Sequence, residues 1–506
     1  MRMWLGSLSV GAMLASVVPA QIVFELRHDE VVPNLVFDHP VAVGDLDDDG
    51  DLDIVNAATT SLWWENLGGG NFATPQPLGL GAAADISLVD VVGDNALDLV
   101  RAEDEGVLVY VGHGDGSFGA GVLVHGADAN PIHRIEVADL TGDGAPDVIS
   151  LSGEPIAGQM KVDLTASDGA GGFLAPVLLQ GPLANVFPVD VAVGDLDGDT
   201  LPDLVLQANT LLGSSVRIYL GTGGGAIAFA GSISLGAFKG NDVKLADTQG
   251  DGDLDLLIGG DFGFATFAGH GDGTFGPAKL WTTRPFYDGA VLADIDSDGN
   301  DDVTFHAAAT WELVVLAGDG EGAFAETFTA TGFGSSSDLQ AADLDQDGAP
   351  DLVLASIDGS GHHILTRVRN HTYPAGSPWL DLGQGKAGVS SDGLPAKPIL
   401  TADGTLAAGA PVSVALARSN TPHTFGYVIM GLSDLSAPFK GGTLVPSPDV
   451  VVGPIAGLPG ASALVLSDTW PAGMPSGTSI WIQAWLHGVG SPLPTSATSA
   501  VRGTTP

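Results

Sequence analysis

The chain has 506 residues, 61 acidic against 17 lysine and arginine side chains, and a formal charge of −44, so it is long enough for two or more domains. So negative a field repels phosphate and argues against nucleic acid as a partner. With no cysteine, disulfides, thiol catalysis and a lipid-modified N-terminal cysteine are excluded.

The first twenty residues, MRMWLGSLSVGAMLASVVPA, combine a basic start, an apolar run and small residues at Val18-Pro19-Ala20. This order predicts a secretory signal peptide (1–20) cleaved after Ala20, and hence a secreted, cell-surface or periplasmic protein. The run is short for a membrane anchor, and no later stretch is apolar for long enough to span a bilayer.

Residues 41–55, VAVGDLDDDGDLDIV, interrupt a strand-like run with six aspartates in nine positions. Two like charges about 4 Å apart repel by roughly 4 kcal/mol at a protein surface, so something must compensate. Counting Asp45 as position 1, aspartates fall at 1, 3, 5 and 9 with Gly50 at position 6. Alternate carboxylates in a curled loop converge on one centre, as calcium's oxygen ligands do; a solvated acidic turn is the alternative.

Repetition decides between them. Related loops begin at Asp90, Asp139, Asp195, Asp247, Asp294 and Asp343, at intervals of 45 to 56 residues. The seven loops hold 29 of the 55 acidic residues that precede residue 374, so the charge is mainly a calcium-binding device. The expected metal ligands are Asp45, Asp47, Asp49, Asp51 and Asp53; Asp139, Asp143 and Asp147; Asp195, Asp197, Asp199, Leu201 and Asp203; Asp247, Asp251 and Asp255; Asp294, Asp296, Asp298, Asn300 and Asp302; and Asp343, Asp345, Asp347, Ala349 and Asp351. Position 7 (Asp51, Leu201, Asn300, Ala349) is expected to offer its backbone carbonyl. The loops at Asp45, Asp294 and Asp343 should bind best, that at Asp195 next, and that at Asp90, with Val92 at position 3, not at all.

Each repeat has one strand into the loop, one out, a third strand, and a Gly-rich turn leading to a Phe that opens a fourth. Four-stranded units of about fifty residues predict a β-propeller. Phe72, Phe118, Phe173, Phe229, Phe275 and Phe324 mark six fourth strands, and the seventh repeat lacks its own. Phe24 precedes Asp45 by the same 21 residues that separate Phe118 from Asp139, so the N-terminal strand is expected to complete blade seven. That closure pairs an edge otherwise left open.

Strand, D-x-D-x-D-G-x-x-D loop, strand and G-x-G-D-G-x-F turn resemble the FG-GAP/VCBS repeats of bacterial surface proteins, related to the integrin α-subunit propeller. The resemblance covers residues 22 to 373. It implies a seven-bladed propeller with calcium in its blade loops, used for binding or adhesion. Thr141, Gln249, Asn95 and Thr200 depart from the pattern.

From about residue 374 the acidic repeats stop and Gly, Pro and Ser punctuation rises, with strand candidates PVSVALA, TFGYVIMGL, SALVLS and SIWIQAWLHG. A C-terminal β-sandwich over 374–506 is expected, with Trp481 and Trp485 on one strand face as core residues. FKGGTLVPSPDVVV and WPAG resemble a C-terminal module of secreted planctomycete-type proteins, which implies no activity.

No HExxH or GxSxG motif is present, and GQGKAG at 383–388 lacks the βαβ context of a nucleotide site. The reading is an all-β, secreted, calcium-binding monomer that binds a glycan or a surface protein. A polysaccharide-acting enzyme and a purely structural surface protein are the alternatives. Ligand residues are expected on the crossovers between blades, opposite the calcium loops: His39, His133, Arg134, Phe187, Phe238, Lys239, Arg284, Phe286, Tyr287 and Phe333. Packing between blades is the competing role for each.

Overall fold

The computed structural model describes residues 22, 24–31, 40–127, 131–153, 161–181, 186–210, 213–236, 239–261, 263–284, 289–307, 310–331, 335–357 and 363–370, and thereafter the strands within 379–504. The expected signal peptide (1–20) and the crossover residues His39, Phe238, Phe286, Tyr287 and Phe333 lie outside the described residues. Two compact units are present, one formed by Phe24–Ile295 with Gly299–His371 and the other holding Thr372–Pro506.

The first unit is a seven-bladed propeller of four-stranded antiparallel sheets. Blades one to six occupy residues 41–77, 85–126, 132–180, 186–236, 240–282 and 291–331. Blade seven takes Ser335–Ala342, Asp351–Ile357 and His363–Asn370 from one end of the repeat region and Phe24–Val31 from the other. Phe24 stands opposite Asn370 and meets Phe328 of blade six edge-on, with ring centroids 5.0 Å apart.

Second and third strands are nearly continuous apolar runs because both faces pack against neighbouring blades. Asp53–Asn56 and Gly106–Tyr110 are buried along their whole length, whereas the outer strand Val122–Gly126 is mostly exposed. One core cluster, with Val41, Ile54 and Trp64 from blade one and Leu344, Val353 and Leu365 from blade seven, seals the ring where its ends meet. Full burial of such a side chain contributes about 1.5–3 kcal/mol.

First strands line the axis, where a further device appears. The residue five before each loop's position 1 is Asp85, Asp190, Asp242 and Asp338 in blades two, four, five and seven. Each carboxylate accepts a backbone N–H in or just before the next blade's first strand: Ile135 to Asp85 at 2.9 Å, Val243 to Asp190 at 2.9 Å, Ala290 to Asp242 at 3.0 Å and Val41 to Asp338 at 2.9 Å. Blade three places Arg134 there, and its Nε donates to Asp190 at 3.0 Å. Five of the seven junctions are thus laced near the axis by a charged side chain.

Six of the seven fourth strands place their phenylalanine opposite the end of the third strand, as in Phe72 with Asn66 and Phe324 with Gly318. Blade four differs. Ile227 stands opposite Gly221, and Phe229, expected there from sequence, is two residues farther along, opposite Tyr219 and 54% exposed. The apolar Ile227 follows the longer glycine turn, packs against the core, and displaces the aromatic outward.

The second unit is also all β. Trp379–Asp381, Val501–Thr504, Ser479–Gly488, His423–Gly431 and Val450–Ala456 form one sheet in that order, and Ile399–Asp403, Pro411–Ala417 and Leu464–Thr469 form another. Ile482, Gln483 and Ala484 are buried. The side chains that would define a sandwich core, Trp485 included, lie outside the described residues.

Candidate metal centres

All seven acidic loops share one backbone. The N–H of position 6 donates to Oδ2 of the position-1 aspartate at 2.8 to 3.0 Å in every case. Positions 4 and 6 both have positive φ throughout, including the non-glycine residues Asp48, Ser297, Gln346, Asn95 and Thr200. A left-handed L-residue costs roughly 1–2 kcal/mol, so the loop's internal bonds and its neighbours must hold these positions.

Position 9 explains why the aspartate persists in every copy. Asp53, wholly buried, accepts Leu46 N–H at 3.1 Å on Oδ2 and Asn66 N–H at 2.7 Å on Oδ1. Asp98, Asp147, Asp203, Asp255, Asp302 and Asp351 repeat both bonds, to position 2 and to the end of the third strand. One carboxylate therefore ties three strands together. In six blades the carbonyl of position 2 accepts a hydrogen bond from the next blade, for example Leu46 from Gly116 N–H at 2.9 Å and Leu344 from Asn66 Nδ2 at 2.8 Å.

Four loops bring three carboxylates close enough to share a cation. Asp45, Asp47 and Asp53 offer oxygens within 4.8 Å of one another, as do Asp195, Asp197 and Asp199; Asp294, Asp296 and Asp302; and Asp343, Asp345 and Asp347. In the first, Asp47 Oδ1 is buried with no hydrogen-bond partner. Burial first, then Asp49, Glu65 and Asp45, push the Asp47 carboxyl above its ordinary range. Burial likewise raises Asp53 to about 6, against the backbone bonds that favour its charge. The donor set, all carboxylate oxygen, fits a hard divalent cation such as calcium. Glu65, at the end of a third strand, adds negative charge beside Asp47 and escaped the sequence pattern because it lies outside the loop.

The other loops close on themselves. Among the described residues, those at Asp90, Asp139 and Asp247 gather no such trio, although Asp139, Asp143, Asp147, Asp247, Asp251 and Asp255 are expected ligands. Position 3 is the cause. Val92 supplies no oxygen, Thr141 turns its hydroxyl back to Asp139 at 3.4 Å, and Gln249 Nε2 donates to Asp251 at 3.0 Å and Asp255 at 3.3 Å. The Gln249 amide satisfies carboxylates that a cation would otherwise bridge.

At the crossover end, the described members of the expected ligand set are already engaged, except for the exposed Lys239. Arg134 lies among axial carboxylates, and Arg284 forms a two-pronged pair with Glu326 at 2.8 and 3.1 Å and also bonds Glu312. Their charges are offset, so the cationic rim expected from sequence is not formed by these two arginines. His133 Nε2 lies 3.3 Å from the carbonyl of Pro188 in the next blade, and Phe187 is half-buried in a strand.

The FG-GAP-like repeat profile matches residues 90–150 and 294–354, each beginning at position 1 of one loop and running just beyond the next. Residues 90–150 and 294–354 are thus FG-GAP-like repeats. Similar solved structures include an Agrocybe aegerita lectin described as recognising non-reducing terminal N-acetylglucosamine (22% identity, 58% of this chain and 80% of that one, TM-score 0.44). Others are a Pseudomonas aeruginosa periplasmic gluconolactonase (17%, 58% and 86%, 0.40) and the V. cholerae biofilm matrix protein Bap1 (12%, 96% and 71%, 0.31). No curated protein matches the chain. Among the described residues no helix is long and apolar enough to cross a membrane.

Proposed function

We propose that the chain is a secreted, calcium-stabilised FG-GAP propeller that serves as an extracellular binding or adhesion module for a glycan or surface protein. The observation that carries the calcium reading is the buried, unpartnered Oδ1 of Asp47, set against Asp45 and Asp53. Without a cation that oxygen leaves desolvation of its carboxylate uncompensated. Asp45, Asp47, Asp49 and Asp53 would hold the ion, with the position-7 carbonyl of Asp51, and the loops at Asp195, Asp294 and Asp343 would act similarly. Bound calcium supplies positive charge that neutralises the converging carboxylates. The residues themselves fix the loop, seat the first and third strands and present the ring's opposite end to a partner. Extracellular modules commonly bind calcium with dissociation constants of about 10⁻⁴–10⁻³ M, so occupancy is matched to the outside of the cell.

Two measurements test this reading. Calcium should raise the melting temperature and chelator reverse it, with about 2.7 kcal/mol per site at a hundredfold excess over the dissociation constant. Asp47→Asn should melt later than wild type in chelator, because repulsion is relieved, and earlier in calcium. Melting indifferent to both ions and variant would leave the loops as acidic turns. For the module itself, calcium-loaded protein should retain partners from a glycan array or surface-protein library. Product release from a polysaccharide panel would replace the module by an enzyme.

A further inference from the structure

We propose that a recess between blades four and five binds a small apolar acid whose carboxylate pairs with Lys239. The recess has a volume of about 260 Å³ and lies at the crossover end of the blades. Leu235 of blade four and Ile258, Phe267 and Leu280 of blade five form its apolar walls. It is a feature of this blade alone in sequence terms. Four residues beyond position 9, the other blades carry Ala57, Ala102, Leu151, Gln207, His306 and Ala355, where blade five has Gly259. Beside it Gly240, Gly260 and Gly263 pair in register across three strands, leaving a wall without side chains. A Cβ on Gly260 would meet the carbonyl oxygen of Lys239 at 2.1 Å, and one on Gly263 that of Thr282 at 1.9 Å, so the wall must stay bare.

Lys239 distinguishes this recess from a simple packing gap. Among the described cations, Arg101, Arg134, Lys161, Lys244, Arg284 and Arg369 pair with carboxylates. Arg217, Lys279 and Arg367 lie over aromatic rings. Lys239 has neither partner among the described residues and is exposed on the recess wall. On a chain of charge −44, an unpaired ammonium beside an apolar surface selects a ligand that brings both a negative group and an apolar body. A cavity of about 150 Å³ holds benzene, and drug-sized ligands begin near 300 Å³. The occupant is therefore a one- or two-ring aromatic acid or a branched aliphatic acid. The recess shares no residue with the acidic loops, so this site stands or falls apart from the calcium reading.

Calorimetry and saturation-transfer NMR on the full chain, in saturating calcium, test the assignment with 2-naphthoate and its neutral match 2-naphthamide. Wild type should bind naphthoate at least fivefold more tightly than naphthamide. Lys239→Gln should erase that difference while leaving naphthamide unchanged, and Ala278→Trp, at an exposed wall position, should abolish both. Should Ala278→Trp melt early, Leu280→Asp provides the same test by placing a like charge on the wall. Naphthoate binding unaltered by Lys239→Gln, or retained in a folded wall variant, overturns the proposal. So does the absence of saturable binding by 2-naphthoate, 4-phenylbutyrate and 4-methylpentanoate alike.

Discussion

Arg369, at the end of blade seven's third strand, donates its Nε to Oδ2 of Asp345, the third position of the loop that begins at Asp343. Its other arm reaches the carbonyl of Gly69 in blade one at 3.3 Å, so the guanidinium bridges the blades where the ring closes. A loop that reads from sequence as one of the three best calcium sites thus already holds a cation. The matching carboxylate of blade one, Asp47, has none.

The difference ranks the loops. Calcium should bind more weakly at Asp343 than at Asp45, because entry there must displace or repel Arg369. Arg369→Gln should add one tighter equivalent of calcium in a calorimetric titration, while Asp47→Asn should remove the tightest. An unchanged isotherm for Arg369→Gln would show that the guanidinium does not compete.

The clamp at position 9 separates folding from metal binding. Asp98 lies in a loop with Val92 in place of a carboxylate at position 3, yet accepts N–H groups from Val91, Val92 and Gly112 at 2.9 to 3.1 Å. Leaving a buried donor unpaired costs about 1–3 kcal/mol. Asp98→Ala should therefore lose several kcal/mol in denaturant unfolding while keeping wild-type calcium stoichiometry. A loss of calcium equivalents with little destabilisation would instead make Asp98 a ligand.

Much of this architecture was legible because its signals are local. Aspartate spacing and the Gly-rich turn recur along the repeats, with a phenylalanine 18 to 22 residues before each position 1, and the matching interval from Phe24 to Asp45 points to a shared blade. Relations between blades were not legible. Asp85, Asp190, Asp242 and Asp338 read as ordinary charges on strands until the ring brings each to its neighbour's backbone. Arg369 and Glu65 lie outside the nine-residue loops whose electrostatics they alter. Gln249 counted only as a missing carboxylate, although its amide replaces what the carboxylate would have needed. Left-handed backbone at position 4 was hidden because Asp48, Ser297 and Gln346 fill it alongside four glycines.

The axial charges predict a pH dependence of known sign. Burial, opposed by Lys244, raises Glu136 to about 7 from an ordinary 4.5, and burial raises Asp338 to about 6 from 3.8. Groups whose folded pKa is raised bind more protons in the native state, so stability falls as pH rises from about 4 through 7. Asp190 runs the other way: Arg134 and Lys244 outweigh its burial and hold it below the usual range, giving stability that is lost only in stronger acid. In saturating calcium, which keeps the carboxylates of the four candidate metal loops ionised, the melting temperature should decline between pH 5 and pH 7. Glu136→Gln should flatten that decline. A profile that rises over this interval, or is unaltered by the variant, would refute the axial assignment.

Closure of the ring carries the final prediction. Phe24–Val31 supplies the whole fourth strand of blade seven, paired along its length from Phe24 with Asn370 to Val31 with His363. Removing residues 21–31 would expose the far edge of His363–Asn370 and strip Phe328 of its edge-on partner. An open strand edge is a template for pairing with another chain. The truncated chain should therefore melt earlier and associate, as read by light scattering and sedimentation. Restoring the strand as a synthetic peptide should reverse both effects in trans, because its pairing partner, Asn370, stays anchored through Asp351 and through Nδ2 to the carbonyl of Ile295. A peptide with Phe24 replaced by Asp should rescue less well, since it lacks the ring that packs on Phe328. Monomeric behaviour with unchanged melting in the truncation would show that blade seven closes without its N-terminal strand.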